Sequence, residues 1–441
     1  MEGRNSVLIE TASTIILYEK LANTIHSGEK GNLRDLQAKV ESVKYNPHFE
    51  SDSLKKGKGK ELESLVLNVT ESCNLACSYC IYSGKYENER VESNVHMDFK
   101  TAKKAVDLFM PLSKKAALIS FYGGEPLNNI SLIKQIIEYI KKTYQNGFLV
   151  FSMASNFCDV DLDTIRAIVK DEIHVNISLD GPKSIHDKNR IFKDGRPTYD
   201  RIMENIRRFE EFSPGYARTH FSYNATCKNP KDFPRIVRFF QENEQFVHPR
   251  INGIELKGLK VEIEKGNVSD VFAFTSDYLD SILSGKDPGV LRVFFDRNLR
   301  KIALRDTKAI PETLMLQGSC YPGNKKLFVD TDGTFYMCER FGGRAPIGNV
   351  NEGINQDSID EIINRFQDIR NNHCTNDCWA QRLCTPCIQT SKDPLGNISG
   401  NGLAQTCESG KSQIVLALAQ YVSLSEKREA LGTYINSMKF K

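Results

Sequence analysis

Ten cysteines form two groups, and the close spacing within each group is typical of metal ligands. Three of them stand in the run Glu71-Ser-Cys-Asn-Leu-Ala-Cys-Ser-Tyr-Cys80. Seven more crowd the last third of the chain, at Cys320, Cys338, Cys374, Cys378, Cys384, Cys387 and Cys407. Three thiolates can hold an iron–sulfur cluster with one iron left open, and seven divide into four plus three. The pattern predicts an enzyme with up to three clusters, at least one of which binds something other than protein.

Zinc is the main alternative for both groups, and redox-active thiols are another. Structural zinc sites use four ligands, commonly from two C-x2-C elements, and the first group has no fourth cysteine nearby. For the seven cysteines in the last third of the chain, a cysteine-rich zinc ribbon remains an alternative. Disulfides are not favoured, because the spacings are tight and the first residues do not resemble a secretory signal. The two remaining cysteines, Cys158 and Cys227, stand alone in apolar, strand-like segments and are expected to be core residues.

Length and composition exclude several functional classes. A chain of 441 residues is expected to form two or three domains. Its 40% hydrophobic and 26% charged residues are typical of a soluble globular protein. The net charge of +3 is too small to indicate binding to nucleic acid or to an anionic membrane surface. No apolar stretch is long enough to span a bilayer, so we expect a cytoplasmic protein without nucleic-acid or membrane partners.

Strands alternate with helices from residue 65 onward, which predicts a parallel sheet of βαβ units and a full or partial barrel. The predicted strands are Leu65–Val69, Ala117–Tyr122, Phe148–Ala154, His174–Leu179, Phe221–Thr226 and, more weakly, Gly253–Leu259. The predicted helices are Asp98–Leu112, Ile130–Tyr144, Leu162–Val169, Tyr199–Phe209 and Phe233–Glu242. The polar motifs follow directly after these strands, where a barrel places its chemistry.

The segments on either side of the barrel differ from it. At the N-terminus, short strands at Ser6–Glu10 and Thr14–Tyr18 precede predicted helices at Glu19–His26 and Leu33–Val43. The expected divisions are an N-terminal module (1–52), a linker (53–64), the barrel (65–268), a helical bridge (269–310), a cysteine-rich domain (311–410) and a C-terminal helical segment (411–441).

The first cysteine group, with Tyr79 before its last member, resembles the cluster motif of radical S-adenosylmethionine (SAM) enzymes. The segment Phe121-Tyr-Gly-Gly-Glu-Pro126 resembles a second motif of that family, although alone it would read as a turn. The resemblance implies that Cys73, Cys77 and Cys80 bind a 4Fe–4S cluster. It also implies SAM as a cofactor and a partial (β/α)6 TIM-like barrel within an α/β fold.

The same resemblance assigns further residues to the binding of SAM. Gly123, Gly124 and Glu125 would hold its amino group, and Arg190 its carboxylate, although a surface salt bridge is the simpler use of Arg190. Ser178 and Asp180 match the ribose-binding segment, and Asn224 and Thr226 are expected to line the same pocket. Ser155 and Asn156 match a third segment, although Phe157 follows where the family often has glycine. The set implied to bind cofactor is Tyr79, Gly123, Gly124, Glu125, Ser155, Asn156, Ser178, Asp180 and Arg190.

The C-terminal cysteines resemble the SPASM domain, an extension of this superfamily that carries two auxiliary 4Fe–4S clusters. Cys320-x12-Gly333-x4-Cys338 matches its opening signature. The later cysteines follow the pattern Cys374-x3-Cys378-x5-Cys384-x2-Cys387, whereas the family usually has C-x2-C-x5-C-x3-C, so the first and last spacings are exchanged. By resemblance, Cys374, Cys378, Cys384 and Cys407 close one cluster. Cys320, Cys338 and Cys387 hold the other and leave an iron open. Three 4Fe–4S clusters are therefore expected in all.

SPASM enzymes mostly modify peptides, and the N-terminal segment resembles the small winged-helix-like module that holds a leader peptide. A structural cap on the barrel is the alternative for that segment. The stretch Met337-Cys-Glu-Arg340, followed by Ile347-Gly-Asn349, resembles the corresponding stretch of enzymes that join a peptide cysteine to a side-chain carbon as a thioether. The resemblance implies a thioether-forming precursor-peptide maturase with an electron donor such as ferredoxin or flavodoxin. Alternatives are carbon–carbon or ether cross-linking, epimerisation, sulfatase maturation to formylglycine, or an electron carrier without catalysis. No catalytic acid or base can be named.

Overall fold

The structure is a computed structural model with twelve gaps between its described segments. It describes residues 2–11, 14–44, 48–50, 62–86, 90–144, 148–253, 268–307, 313–315, 322–341, 344–374, 378–393, 396–425 and 427–438. The predicted linker residues 53–61 and Cys320 lie outside the described residues. None of the helices in these segments is long and apolar enough to cross a membrane.

Strands and helices alternate through the middle of the chain. The strands are β1 Ser6–Glu10, β2 Ile15–Glu19, β3 Thr24–Gly28, β4 His48–Glu50, β5 Leu62–Thr70, β6 Ser113–Gly123, β7 Phe148–Ser155, β8 His174–Ser178, β9 Phe221–Cys227, β10 Pro249–Gly253, β11 Thr313–Met315, β12 Lys326–Val329, β13 Phe335–Tyr336, β14 Gly348–Asn349 and β15 Gly353–Ile354. The helices are α1 Lys30–Glu41, α2 Phe99–Phe109, α3 Ile130–Thr143, α4 Leu162–Lys170, α5 Lys183–Asn189, α6 Tyr199–Phe212, α7 Tyr216–His220, α8 Phe233–Glu242, α9 Val268–Leu283, α10 Arg292–Ala303, α11 Gln356–Cys374, α12 Gly400–Ser425 and α13 Arg428–Ser437.

The main sheet has eight strands in the order β10-β9-β8-β7-β6-β5-β12-β13. All neighbours from β10 to β12 are parallel, and β13 runs antiparallel to β12. Each of β5 to β10 leads into at least one helix, which confirms the predicted α/β fold with a partial (β/α)6 barrel. The carboxyl ends of these strands meet at one edge, where the polar motifs lie.

Local sequence explains why these elements form. The central strand β5 is buried along nearly its whole length, as expected for a parallel strand covered on both faces. Helix α3 buries five apolar residues at helical spacing. Asp98 and Asp161 begin helices α2 and α4, because each carboxylate accepts the backbone N–H three residues later, at 2.6 and 2.7 Å.

The N-terminal residues form a three-stranded antiparallel sheet, β1-β2-β3, covered on one face by α1. The predicted helix at 19–26 is wrong, because residues 24–28 form strand β3 and Leu17 pairs with His26. Asn23 has a φ of 59° and turns the chain between the two strands. Thr24 and Ile25 are β-branched and favour the extended conformation, so the short helical periodicity was misleading.

Two further predictions need correction. The sixth barrel strand is Pro249–Gly253, upstream of the predicted 253–259, and residues 254–267 lie outside the described residues. The C-terminal helical segment begins at Gly400 rather than at residue 411, so Cys407 lies within helix α12. That long helix packs against α10 and brings the C-terminal end of the chain back to the cysteine-rich region.

Candidate functional site

The loop after β5 carries Cys73, Cys77 and Cys80 at the carboxyl edge of the sheet. Its backbone is fixed by the segment after β8, since the N–H of Ala76 donates to Ile191 at 2.8 Å and that of Ser78 to Asn189 at 2.9 Å. All three cysteines line one cavity of about 250 Å³. The structure therefore brings the first cysteine group together on one wall of an enclosed space.

The two glycines at the end of β6 allow the backbone of the cysteine loop after β5 to approach the sheet closely. A Cβ on Gly123 would lie 2.3 Å from the carbonyl oxygen of Thr70, and one on Gly124 would lie 2.4 Å from that of Ser72. Gly123 also has a φ of +157°, which side chains rarely adopt. Both glycines line the cavity, and any larger residue would push the cysteine loop away.

Glu125 lies behind the cavity wall rather than among its lining residues. Its carboxylate accepts the hydroxyl of Ser155 at 2.7 Å and the backbone N–H of Asn156 at 2.6 Å. Burial raises the pKa of Glu125 to about 7. Ser155 and Asn156 both line the cavity, and the Asn156 side-chain nitrogen lies 3.9 Å from the sulfur of Cys73. Glu125 thus holds these two residues in place.

Phe157 occupies the position where the family often has glycine, and its backbone takes the conformation that glycine favours. Its φ is +58°, in the left-handed region. The ring is fully buried and packs edge-on against Phe221, with centroids 5.4 Å apart. Apolar packing in the core holds a backbone geometry that a glycine would reach without strain.

Asp180 connects Arg190, Tyr79 and the end of β9. The Arg190 Nε atom lies 3.1 Å from Oδ1 of Asp180, close enough for an ion pair but without the alignment of a hydrogen bond. The hydroxyl of Tyr79 donates to the other carboxylate oxygen, and the N–H of Thr226 donates to Oδ1 at 2.9 Å. Arg190, Tyr79 and Thr226 line the cavity, whereas the fully buried Asp180 does not.

The thiols in this cavity are protonated in the absence of a metal. Burial, reinforced by the charge of Glu125, raises the pKa of Cys73 to about 12. Burial raises the pKa of Cys77 to about 11, although Arg190 acts in the opposite direction. Burial also raises the pKa of Cys80. Iron binding must therefore displace these protons, and cationic Arg190 favours the thiolate form of Cys77.

Ser178, Asn224 and Thr226 also line the cavity, at the ends of β8 and β9. Sequence reasoning missed eight further lining residues: Leu75, Ile81, Tyr82, Tyr86, Tyr122, Ala154, Asn252 and Arg340. Asn252 was missed because β10 begins upstream of its predicted position. Arg340 follows Cys338 from the distant cysteine-rich region, and no local pattern could place it at the barrel mouth. Tyr122 directly precedes Gly123 in the recognised Phe121-Tyr-Gly-Gly-Glu-Pro126 segment, so its position in the sequence could have suggested that it lines the cavity.

Four of the C-terminal cysteines form a second group. The charges of Cys378, Cys384 and Cys407 all act on the thiol of Cys374, whose pKa burial raises to about 12. Cys378 and Cys384 likewise influence Cys407, and burial raises the pKa of both Cys378 and Cys407. The four residues come from the end of α11, the loop before residue 388 and helix α12.

A buried arginine faces this four-cysteine group. Arg370 lies one turn before Cys374 on α11 and is only 3% exposed. Its guanidinium lies over the ring of Phe49, at 4.3 Å from the centroid, and its Nε and Nη1 atoms have no hydrogen-bond partner among the described residues. The positive charge of Arg370 opposes the rise that burial causes in the pKa of Cys374, Cys378 and Cys407. Buried donors without a partner next to four thiols fit an anionic iron–sulfur cluster with sulfur acceptors.

Cys338 and Cys387 form a separate pair. Burial raises the pKa of Cys338 to about 12, and Glu339 and Cys387 add to the effect. Cys320, predicted to join them, lies outside the described residues. Within the described segments, no three His, Cys, Asp or Glu side chains come close enough to hold a single metal ion. The first group is accordingly defined by its shared cavity, and the C-terminal groups by mutual electrostatic influence, rather than by contact between sulfurs.

Two family models match the chain. The model of the radical SAM superfamily matches residues 67–240, and that of the SPASM iron–sulfur cluster-binding domain matches residues 320–387. The first range spans the cysteine loop and the ends of β6 to β9 at the cavity, but not β10, and the second contains six of the seven C-terminal cysteines. The separation between the two matches corresponds to helices α9 and α10.

Several known proteins are similar over most of the chain. A cysteine-type anaerobic sulfatase-maturating enzyme from Clostridium novyi is 25% identical over 369 residues, covering 80% of this chain and 94% of the relative. An uncharacterized protein from Methanocaldococcus jannaschii is 26% identical over 297 residues, covering 66% and 90%.

Solved structures share the fold. The structure of native anSMEcpe with bound AdoMet has a TM-score of 0.61 at 20% identity, covering 86% of this chain and all of the other. That of Streptococcus suis SuiB bound to precursor peptide SuiA has a TM-score of 0.53 at 14% identity, covering 85% and 83%.

Proposed function

Since the chain is a radical SAM enzyme that carries an SPASM iron–sulfur domain, we propose that it modifies a ribosomally made peptide after translation. In this proposal a hydrogen atom is removed from a side-chain carbon by the radical that cleaved SAM would supply, and that carbon is joined to a cysteine sulfur as a thioether. The thiol proton would leave to solvent and the remaining electron would pass to an auxiliary cluster, so that SAM is the net oxidant. The observation that carries the proposal is the cavity at the barrel mouth. It combines three thiols with Arg190 and with polar groups from several strand ends.

The residues of this cavity have distinct tasks. Cys73, Cys77 and Cys80 would hold a 4Fe–4S cluster, and Arg190 suits the carboxylate of SAM. A cluster and SAM supply, when both are bound, a 5′-deoxyadenosyl radical that removes hydrogen from an unactivated carbon. The chain positions the target carbon and excludes water. Glu125 and Asp180 keep the lining groups in fixed orientation, since both carboxylates are buried and hydrogen-bonded inside the wall.

The C-terminal cysteines support the thioether form of the proposal. Cys374, Cys378, Cys384 and Cys407 would complete one auxiliary cluster. Cys338 and Cys387, with Cys320, would hold a second through three ligands. A set of three leaves a coordination position, and a substrate thiolate is a soft ligand suited to iron.

The N-terminal sheet supplies a place for the leader of such a peptide. Strand β3 is at the edge of that sheet, with β2 on one side and no strand of the described residues on the other. Its residues 24–28 are half-buried or exposed, so an extended peptide can add to them by main-chain hydrogen bonds. Amide hydrogen exchange at residues 24–28 should slow when a leader peptide binds, whereas the central strand β8 should not change. Equal exchange at β3 with and without a bound peptide would contradict this assignment.

Sulfatase maturation is the second candidate, and the sequence relatives favour it. Proteins called cysteine-type anaerobic sulfatase-maturating enzymes match most of this chain. The structural neighbour SuiB, whose structure contains a bound precursor peptide, instead favours the modification of a precursor peptide. Other peptide products, namely carbon–carbon or ether cross-links and epimers, use the same opening chemistry. An electron donor such as ferredoxin or flavodoxin completes the proposal in every case.

Tandem mass spectrometry of cysteine-bearing peptides, before and after anaerobic turnover, tests the proposal. A thioether removes two hydrogens and leaves the cysteine resistant to alkylation. Formylglycine instead replaces the thiol by an aldehyde, which a hydrazide captures. Loss of two hydrogens with the thiol still free would favour a different cross-link. Failure to form 5′-deoxyadenosine with reconstituted enzyme, SAM and dithionite would overturn all of these readings and leave only electron transfer.

A further inference from the structure

A second and larger cavity lies beside the one at the barrel mouth. Its volume is about 960 Å³, and it extends between α10, the cysteine-bearing loop before residue 388 and α12. Arg340 lines both this cavity and the smaller one that holds Cys73, Cys77 and Cys80. The two spaces therefore approach each other at this residue.

One wall of the larger cavity is aromatic. The ring of Phe233 lies edge-on to Phe274 at 6.0 Å and to Phe294 at 5.0 Å between centroids. Phe233 and Phe294 are only half-buried, so part of each ring faces the open space. Such a wall favours an apolar or aromatic side chain in a bound ligand.

Apart from Cys384, Cys387 and Cys407, which are assigned to the auxiliary clusters, the charged lining residues of this cavity all have one sign. Its cationic lining residues are Arg297, Lys301 and Arg340, and none of the described lining residues is Asp or Glu. Arg297 and Lys301 stand one turn apart on α10. Lys301 donates to the hydroxyl of Thr385 at 3.0 Å, whereas Arg297 is exposed and has no ion-pair or hydrogen-bond partner among the described residues. A cavity of this kind attracts a ligand with carboxylates.

Anionic clusters do not account for all of this positive charge. The four-cysteine group already has Arg370 and Lys411, the two cations with the largest influence on Cys378 and Cys407. Arg370 and Lys411 do not line the cavity. Arg297 influences Lys301, on which Cys384 also acts, but it is not among the main influences on Cys374, Cys378 or Cys407. The charge of Arg297 is therefore available to a ligand that enters from solvent.

We propose that the larger cavity binds the segment of the substrate peptide next to the residue that is modified. In this assignment Arg297 and Lys301 select an acidic side chain, and the aromatic wall takes an apolar neighbour. The inference rests on the proposed function and deepens it, because it names the substrate class as a peptide with an acidic and an aromatic residue near the reacting position.

The test uses the cluster-loaded enzyme under anaerobic conditions without reductant, so that only binding is measured. The probes are two fluorescein-labelled decapeptides, Gly-Ser-Glu-Phe-Gly-Cys-Gly-Glu-Phe-Ser and its counterpart with glutamine in place of both glutamates. Fluorescence anisotropy gives the dissociation constant of each. We expect the glutamate peptide to bind about fivefold more tightly, with the advantage falling as salt is added.

Arg297→Gln should remove most of this advantage without changing the iron content, and Arg297→Glu should invert it. Arg207→Gln on the outer helix α6 is the matched control, because among the described residues Arg207 forms ion pairs with only the exposed Glu204 and Glu211. Equal binding of the two peptides, or an equal loss in the Arg207 and Arg297 variants, would overturn the inference. Peptide modification without charge discrimination would defeat this inference alone. Discrimination without SAM cleavage would instead defeat the proposed function and leave the binding site standing.

Discussion

The two cysteine regions of this protein are both buried but have opposite electrostatic surroundings. Around Cys73, Cys77 and Cys80 the wall contains the buried carboxylates of Glu125 and Asp180 together with Arg190. Around the four C-terminal cysteines the strongest charged neighbours are the cations Arg370 and Lys411. A site for a cluster and a zwitterionic cofactor needs both signs of charge, whereas a site for an anionic cluster alone needs only cations. The surrounding charges therefore distinguish regions that cysteine spacing alone describes in similar terms.

The largest effect should follow from removing a thiol of the first region. Cys73→Ala should lower iron and acid-labile sulfide per chain by about one third, if three clusters are present, and abolish SAM cleavage. The auxiliary clusters should remain, because none of their described cysteines lines the cavity of the first region. Cys158→Ala is the control, since Cys158 is buried in the core near this region but is not among the cavity residues. Loss of most of the iron in the Cys73 variant would mean that the two regions are not independent.

A second prediction concerns the carboxylate of the first region. The unfolded chain releases the proton of Glu125 near pH 4.5, whereas burial raises the folded pKa to about 7. Between these values the native state binds more protons than the unfolded state. The free energy of unfolding should therefore fall by about 3 kcal/mol as pH rises from 4.5 to 7, and level off above pH 7.

Glu125→Gln should remove this dependence, because the amide does not ionise. Anaerobic urea unfolding between pH 5.5 and 8 measures the difference between the two proteins. Glu138→Gln on the exposed face of α3 is the matched control and should keep the wild-type slope. Parallel pH profiles for wild type and Glu125→Gln would show that the carboxylate is not held as the structure indicates.

The strands that position the first region were predictable from the sequence, for physical reasons that the residues make clear. Strands such as β5 are apolar along most of their length, and the glycine and cysteine motifs stand directly after them, so local pattern and tertiary position agree. The sixth strand was misplaced because it begins with Pro249 and carries the polar residues Arg250 and Asn252, which weaken an apolar pattern.

The surroundings of the second region could not be predicted in the same way. Arg370 is one basic residue in a helix rich in charged residues, and only packing against Phe49 and the cysteines distinguishes it. Arg340 reaches the barrel cavity through the path of the chain after β13, which no local periodicity encodes. The roles of such residues arise from contacts across long sequence separations, whereas the cysteines were recognisable from their spacing.

Arg370 gives a third prediction, specific to the second region. A cation beside a cluster stabilises the reduced, more negative form, so Arg370→Met should make the four-cysteine cluster harder to reduce. We expect the ratio of reduced to oxidised cluster at a fixed potential to fall about tenfold, or about 59 mV for one electron. Potentiometric titration followed by electron paramagnetic resonance measures this change. Arg365→Met, on the exposed side of the same helix, is the control and should have no effect. A shift of the barrel cluster by the same amount would contradict the separation of the two regions.

The smallest expected effect tests how the N-terminal sheet is attached to the second region. The ring of Tyr18 packs edge-on to Trp379, with centroids 6.0 Å apart, beside the loop that carries Cys378 and Cys384. Its buried hydroxyl donates to the side chain of Asn23 at 2.8 Å. Tyr18→Phe keeps the ring contact and removes only this hydrogen bond, so it should cost about 1 kcal/mol in the free energy of unfolding. Hydrogen exchange should increase in β2, β3 and the cysteine loop but not in β7 or β8, because Tyr18 belongs to a hydrophobic cluster that includes no residue of those two strands. Faster exchange throughout the barrel would mean that the N-terminal sheet stabilises both regions rather than the second one.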